Sequence, residues 1–230
     1  MTAVIAHGHG HGHSLPGAPG HGHSLPEAPE GVMGYVSTTP VDRALLDERM
    51  AALRAGDEAG VLPRAETRDG RQLTRWVAQV VLTEELCADE LRRRGHTDAD
   101  GATGGHAGED ANGDAGGDAG PLDVSTAIAI GSITAAALAG SAVVRRVAEL
   151  VSADVRIPAA QLAYAADMLG EEPPGDPDVP TRQWHADLLT SARLEAFSRW
   201  LNKARHERLQ LVRGLEHPGD SNQPDNLHRH

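Results

Sequence analysis

Apolar positions recur along the chain with a helical period. Leu45, Leu46, Met50 and Leu53 mark one face of a helix that ends near Gly56. Leu73, Trp76, Val77, Val80, Val81, Leu86, Cys87 and Leu91 keep close to a 3.6-residue repeat, which predicts a second, longer helix. Thr67 or Asp69 can cap its start. Arg92-Arg93-Arg94 suits the negative end of its dipole, and Gly95 stops it. From Asp123, Ser125 or Thr126 an Ala-rich helix is expected to run on toward Leu150. Pro158 opens a short helix to Leu169. Thr181 caps a last long helix with Trp184, Leu188, Ala192, Phe197, Trp200, Leu201 and Ala204 on its buried side. Two short stretches, Tyr35–Thr38 and Leu209–Val212, read as strands that could lie side by side. Between the first strand and first helix, Thr39-Pro40 offers an N-cap followed by Pro at the first helical position. The pattern therefore predicts an all-α bundle of about five helices with one short two-stranded pairing.

Outside this body the pattern disappears. Residues 11–20 and 21–30 are a tandem Gly/Pro/His repeat, so residues 1–31 read as a flexible arm that shares little buried area with the rest. Residues 98–121 are mostly Gly, Ala and Asp and read as a linker. The body splits into 32–97 and 122–213, two helical parts of one domain, followed by a tail, 214–230. The tail's Pro, Asn, Asp and His predict a turned segment docked on the helices near the first strand.

Composition narrows the function classes. One Phe, two Tyr and three Trp leave the core to aliphatic residues and Ala, which favours packed helices over a β-sandwich. A net charge of −12 argues against general nucleic-acid binding. Val124–Val144 holds 21 residues without a charge, yet only seven are Val, Ile or Leu. Small residues insert weakly into lipid, so a buried helix is expected rather than a span. The lone Cys87, within an apolar face, reads as a small buried hydrophobe and suits a reducing, cytoplasmic setting.

The sharpest chemistry is histidine. His7, His9, His11, His13, His21 and His23 on Gly-rich backbone can fold around one Ni, Co, Zn or Cu ion. His217, His228 and His230, with Asp220 and Asp225, could form a second metal site or belong to a docked tail. No other cofactor is called for. Asp110-x-Asn112-x-Asp114 begins like a calcium loop, but Ala115 and Pro121 stand where Gly and Glu are needed. Ser14 and Ser24 each sit in the start of a G-x-S-x-G elbow with Pro in the last place. His185 and His206 are expected to be surface or hydrogen-bonded residues. Arg193, Arg199, Lys203, Arg205, Arg208 and Arg213 make the last helix and its exit basic, either as a solvated face or as a patch for an acidic partner.

Gly34-Tyr35-Val36, Pro40-Val41, the following helix and Gly70-Arg71-Gln72-Leu73-Thr74-Arg75-Trp76-Val77 together resemble the N-terminal helical region of SurA-type peptidyl-prolyl isomerase chaperones. Residues 32–230, through Gly131-Ser132-Ile133, Phe197-Ser198-Arg199-Trp200-Leu201 and Glu216-His217-Pro218-Gly219-Asp220, resemble an uncharacterised family of actinobacterial proteins. That family is often encoded near polyketide genes and labelled malonyl-CoA:acyl-carrier-protein transacylase or peptidylprolyl isomerase. The resemblance implies a non-catalytic, chaperone-like or accessory protein that binds a polypeptide client or an acyl carrier protein. The alternatives are the acyltransferase or isomerase of the labels, and a metal storage or delivery protein.

Overall fold

The computed structural model describes residues 25–96, 132–176, 179–220, 223 and 225. Among these, six α-helices and a 3-10 turn pack with a three-stranded antiparallel sheet. The expected all-α bundle of about five helices is therefore corrected in two places.

The first is the sheet. β1 (Val32–Val36) turns through Ser37, whose φ is +57°, and pairs with β2 (Thr39–Asp42). Thr39 and Pro40 thus extend a strand instead of opening a helix. Pro40 is tolerated because β2 lies at the sheet edge in the order β2-β1-β3, where a missing N–H costs no ladder bond. The cap of α1 (Arg43–Ala55) is Asp42, whose carboxylate accepts from the Ala44 N–H at 2.8 Å. On the other side of β1 lies β3 (Leu209–Leu211), with Gly34 opposite Leu211. Gly34 lets the strands and α2 approach closely: a Cβ there would sit 3.1 Å from Leu82 Cδ2 and 3.2 Å from the Gln210 carbonyl oxygen, so its neighbours would have to give way slightly.

The second is the Ala-rich helix, which breaks at Gly140-Ser141. α3 (Ile133–Gly140) ends there, and α4 (Ala142–Ser152) starts with Ser141 as its cap, the hydroxyl accepting from the Val144 N–H. A Gly/Ser pair is a frequent cause of such breaks. Arg145 stabilises the break by donating to the carbonyls of Leu138 and Ala139, which the end of α3 leaves without helical donors. Among the described residues no helix is long and apolar enough to cross a membrane. Residues 124–131 of the uncharged run, and the linker 98–121 with its calcium-like segment, lie outside the described residues.

The core is organised around α2 (Arg68–Arg93), capped by Thr67 as one of the two expected residues. Val77, Ala78, Val80, Val81, Leu82, Leu86 and Cys87 are buried along it. They join Met33, Val36 and Val41 from the sheet, Leu46 from α1, Ile133 and Ala137 from α3, Val144 and Val147 from α4, and Phe197 and Leu201 from the last helix. Pro158 precedes α5 (Ala159–Leu169), which ends at Gly170 in the left-handed conformation. α6 (Gln183–Arg208) starts at Arg182 without a side-chain cap, so Thr181 does not serve.

Backbone attachment to the body begins before residue 32. The Arg213 N–H donates to the Pro26 carbonyl at 2.9 Å, and the Arg43 N–H to the Gly31 carbonyl at 2.7 Å.

Candidate functional site

Residues 71, 75, 79 and 83 repeat every fourth position and form one stripe along α2, and all of them are polar. The stripe is where the tail docks. Asp225 receives Arg71 Nε at 3.1 Å and Arg75 Nη1 at 2.5 Å, so hydrogen bonds from Arg71 and then Arg75 hold its carboxyl well below the usual range. Arg75, almost fully buried, also lies 3.4 Å from Glu216. Gln223, 1% exposed, donates to the Pro218 carbonyl and to Gln72. Gln79 donates to the Leu215 carbonyl at 3.1 Å and accepts from Arg205, which also reaches Thr83. The tail is thus built into the interior of the polar stripe, by α2 rather than by the strands.

Where α6 ends, a cleft of about 580 Å³ opens. Asn202, Arg205, His206 and Leu209 line it from one face of the chain at i, i+3, i+4 and i+7. Ser132, Ile133 and Thr134 line it from the first turn of α3, Leu211 from β3, and His217 from the tail. Among the described residues, Arg205 is held only by the neutral groups of Gln79 and Thr83, and burial lowers its pKa. The His217 pKa is lowered by partial burial first and then by the Arg205 charge, against an opposing pull from Asp220. His217 Nδ1 accepts from the Gly219 N–H at 3.0 Å.

Of the histidines read as metal ligands, His7, His9, His11, His13, His21, His23, His228 and His230 lie outside the described residues, as do Ser14 and Ser24. His217 is placed in the cleft with His206, beside a guanidinium. Among the described residues no three His, Cys, Asp or Glu side chains converge as a metal site.

His185 corrects the expectation of a surface or hydrogen-bonded residue. It is 1% exposed, stacked on Trp184 at 5.7 Å, and neither ring nitrogen has a partner among the described residues. It stands three residues before Leu188 and seven before Ala192, on the apolar face of the last helix, where its residue type kept it out of the buried set read from Trp184. The Cys87 thiol is pushed up to about 12 by burial above all, with Glu90 and Glu84 adding to it and Arg208 opposing, so it is a poor nucleophile.

The basic run of the last helix is largely spent within the chain. Arg199 pairs with Glu195, Lys203 with Glu207, Arg208 with Asp89 and Glu90, and Arg213 with Glu27. An acidic partner would compete with carboxylates already in place.

Of the six large apolar residues exposed among the described residues, four fall between residues 164 and 179, and the others are Leu53 and Val61. Tyr164 and Met168 are each 67% exposed, Leu169 56% and Val179 50%. Tyr164 and Met168 stand one turn apart on α5. Asp167 and Glu172 are exposed beside them.

A family of unknown function (DUF7158) matches residues 32–69, which span β1, β2, α1 and the crossing into α2. No curated protein and no solved structure matches the chain. The likeness to SurA-type chaperones therefore rests on the sequence motifs alone.

Proposed function

We propose that this protein is a non-catalytic, chaperone-like accessory protein that holds a polypeptide partner on the exposed face of α5. The observation that carries this reading is the exposed apolar group Tyr164, Met168 and Leu169 on a short helix whose opposite side, Leu162 and Ala166, is already buried. Exposed large side chains gathered on one element are the usual mark of an interaction surface. Met adapts to varied apolar partners, which suits a client-binding role. Asp167 and Glu172 at the edge, on a chain of charge −12, favour an apolar segment with basic flanks. The same charges and the paired Arg and Lys side chains of α6 speak against an acyl carrier protein, which would be acidic. The single buried Cys87 fits a cytoplasmic setting.

The test is binding of a fluorescent unstructured peptide with an apolar centre and lysine flanks, followed by anisotropy. The wild type should bind saturably. Tyr164→Ser with Met168→Gln should weaken binding at least tenfold while leaving the helical circular dichroism unchanged, since both side chains face solvent. Equal affinity in the double variant, or no binding by the wild type, would overturn the reading.

A further inference from the structure

We propose that the cleft lined by Asn202, Arg205, His206 and His217 is a binding site for a phosphate monoester that carries a small apolar body. The cleft lies apart from the α5 face, and its argument is independent of the partner-binding one.

The argument starts from Arg205. Among the described residues, half-buried Arg54 donates to the Pro63 carbonyl, while Arg75 is matched by Glu216 and Asp225, Arg208 by Asp89 and Glu90, and Arg49 by Glu84. Arg205 is instead fixed by the neutral groups of Gln79 and Thr83, and no described carboxylate acts on it. A partly desolvated cation without a counter-charge is costly, and a bound anion relieves that cost. Gln79 and Thr83 are fully buried, so they hold the guanidinium in place before any ligand arrives.

The other lining groups are donors or can become donors. Asn202 offers an amide, His206 and His217 offer imidazoles, and Ser132 and Thr134 offer hydroxyls. The first-turn N–H groups of α3 lack helical acceptors and add a favourable dipole. So many donors exceed what the two oxygens of a carboxylate can use, whereas a phosphate has three oxygens and about two charges near neutral pH. Ile133, Leu209 and Leu211 supply an apolar wall on which the esterified part can rest. A metal ion is disfavoured by the same Arg205 charge that lowers the His217 pKa. The charged groups that act on His217 are Arg205 and Asp220, with His206 across the same lining. A bound phosphate would oppose Arg205 and move His217 back toward the imidazolium.

The experiment is an NMR titration of the imidazole resonances of the full chain with phenyl phosphate, inorganic phosphate and benzoate. Phenyl phosphate should shift His206 and His217 saturably at millimolar concentration or below and raise the pKa of His217. Inorganic phosphate should bind more weakly, because it leaves the apolar wall unused, and benzoate should bind weakest. His206→Ala and Asn202→Ala, both exposed positions, should each weaken phenyl phosphate at least threefold without changing Tm. Arg205→Lys keeps a charge but loses the fixed fork, and should weaken it further. The proposal is overturned if His206 and His217 do not shift saturably, if benzoate binds as well as phenyl phosphate, or if the two alanine variants bind like the wild type.

Discussion

At the scale of single residues, the informative positions are polar groups in places where the sequence pattern expects none. His185 buries two ring nitrogens without a described partner, and each such group costs on the order of 1–3 kcal/mol. His185→Leu keeps comparable bulk and removes both polar atoms. We expect it to raise Tm, by roughly 1–2 kcal/mol of stability, in a thermal melt. A clear loss of stability instead would mean that the imidazole has a partner the fold needs. Residues of this kind were poorly legible beforehand. Periodicity reports which face is apolar, and His185 lies on that face with Leu188 and Ala192, but a polar residue type counts there as an interruption of the pattern. Arg205 likewise counted as one cation among six, because sequence spacing cannot tell a guanidinium facing Glu from one held by Gln79.

At the scale of elements, hydrophobic period located α1, α2 and α6, most clearly α2 with its long buried stripe, and Pro158 marked the start of α5. What it misread were boundaries decided by a single residue. Asp42 rather than Thr39 caps α1 because Val36–Ser37–Thr39 turns back and consumes Thr39 and Pro40 in a strand. Asp42→Ala should cost about 1 kcal/mol in chemical denaturation, with Thr39→Ala nearly neutral. Equal effects would return the cap to Thr39. The crossing into α2 depends on Gly70, where a Cβ would lie 2.0 Å from the Arg64 carbonyl oxygen. That atom is backbone and cannot step aside, so Gly70→Ala should cost roughly 1–3 kcal/mol, visible as a lower denaturation midpoint. A neutral result would show that residues 64–67 do not cross over the helix start.

At the scale of the whole molecule, the front was read as separate from the body and the tail as docked on it, and the structure ties parts of each to the body. On the front, Pro26 and Gly31 accept backbone bonds from Arg213 and Arg43. Deleting residues 1–24 should leave Tm unchanged, whereas deleting residues 1–31 should lower it by a few degrees. Equal melts for the two truncations would place the attachment after residue 31. On the back, Asp225 joins Arg71 and Arg75 across some 150 residues of chain. Docking of the tail was legible from its Pro, Asp and Asn content, but the receiving residues were not, because a stripe of Arg71, Arg75 and Gln79 on an otherwise apolar helix reads as a solvated edge. The Asp225 carboxyl is held below its ordinary value of 3.8, so the unfolded chain takes up its proton first as pH falls. Stability from this contact is complete above about pH 5 and declines as pH drops through about 4 and below. Asp225→Asn should lower Tm at pH 7 and flatten the acid limb of Tm against pH, so that the two proteins converge toward pH 2. The buried Arg75 left beside Glu216 alone makes the loss larger than an exposed pair would give. Parallel curves for wild type and variant, with the same slope below pH 4, would show that the tail contributes through packing of Leu215 and Gln223 and not through its charge.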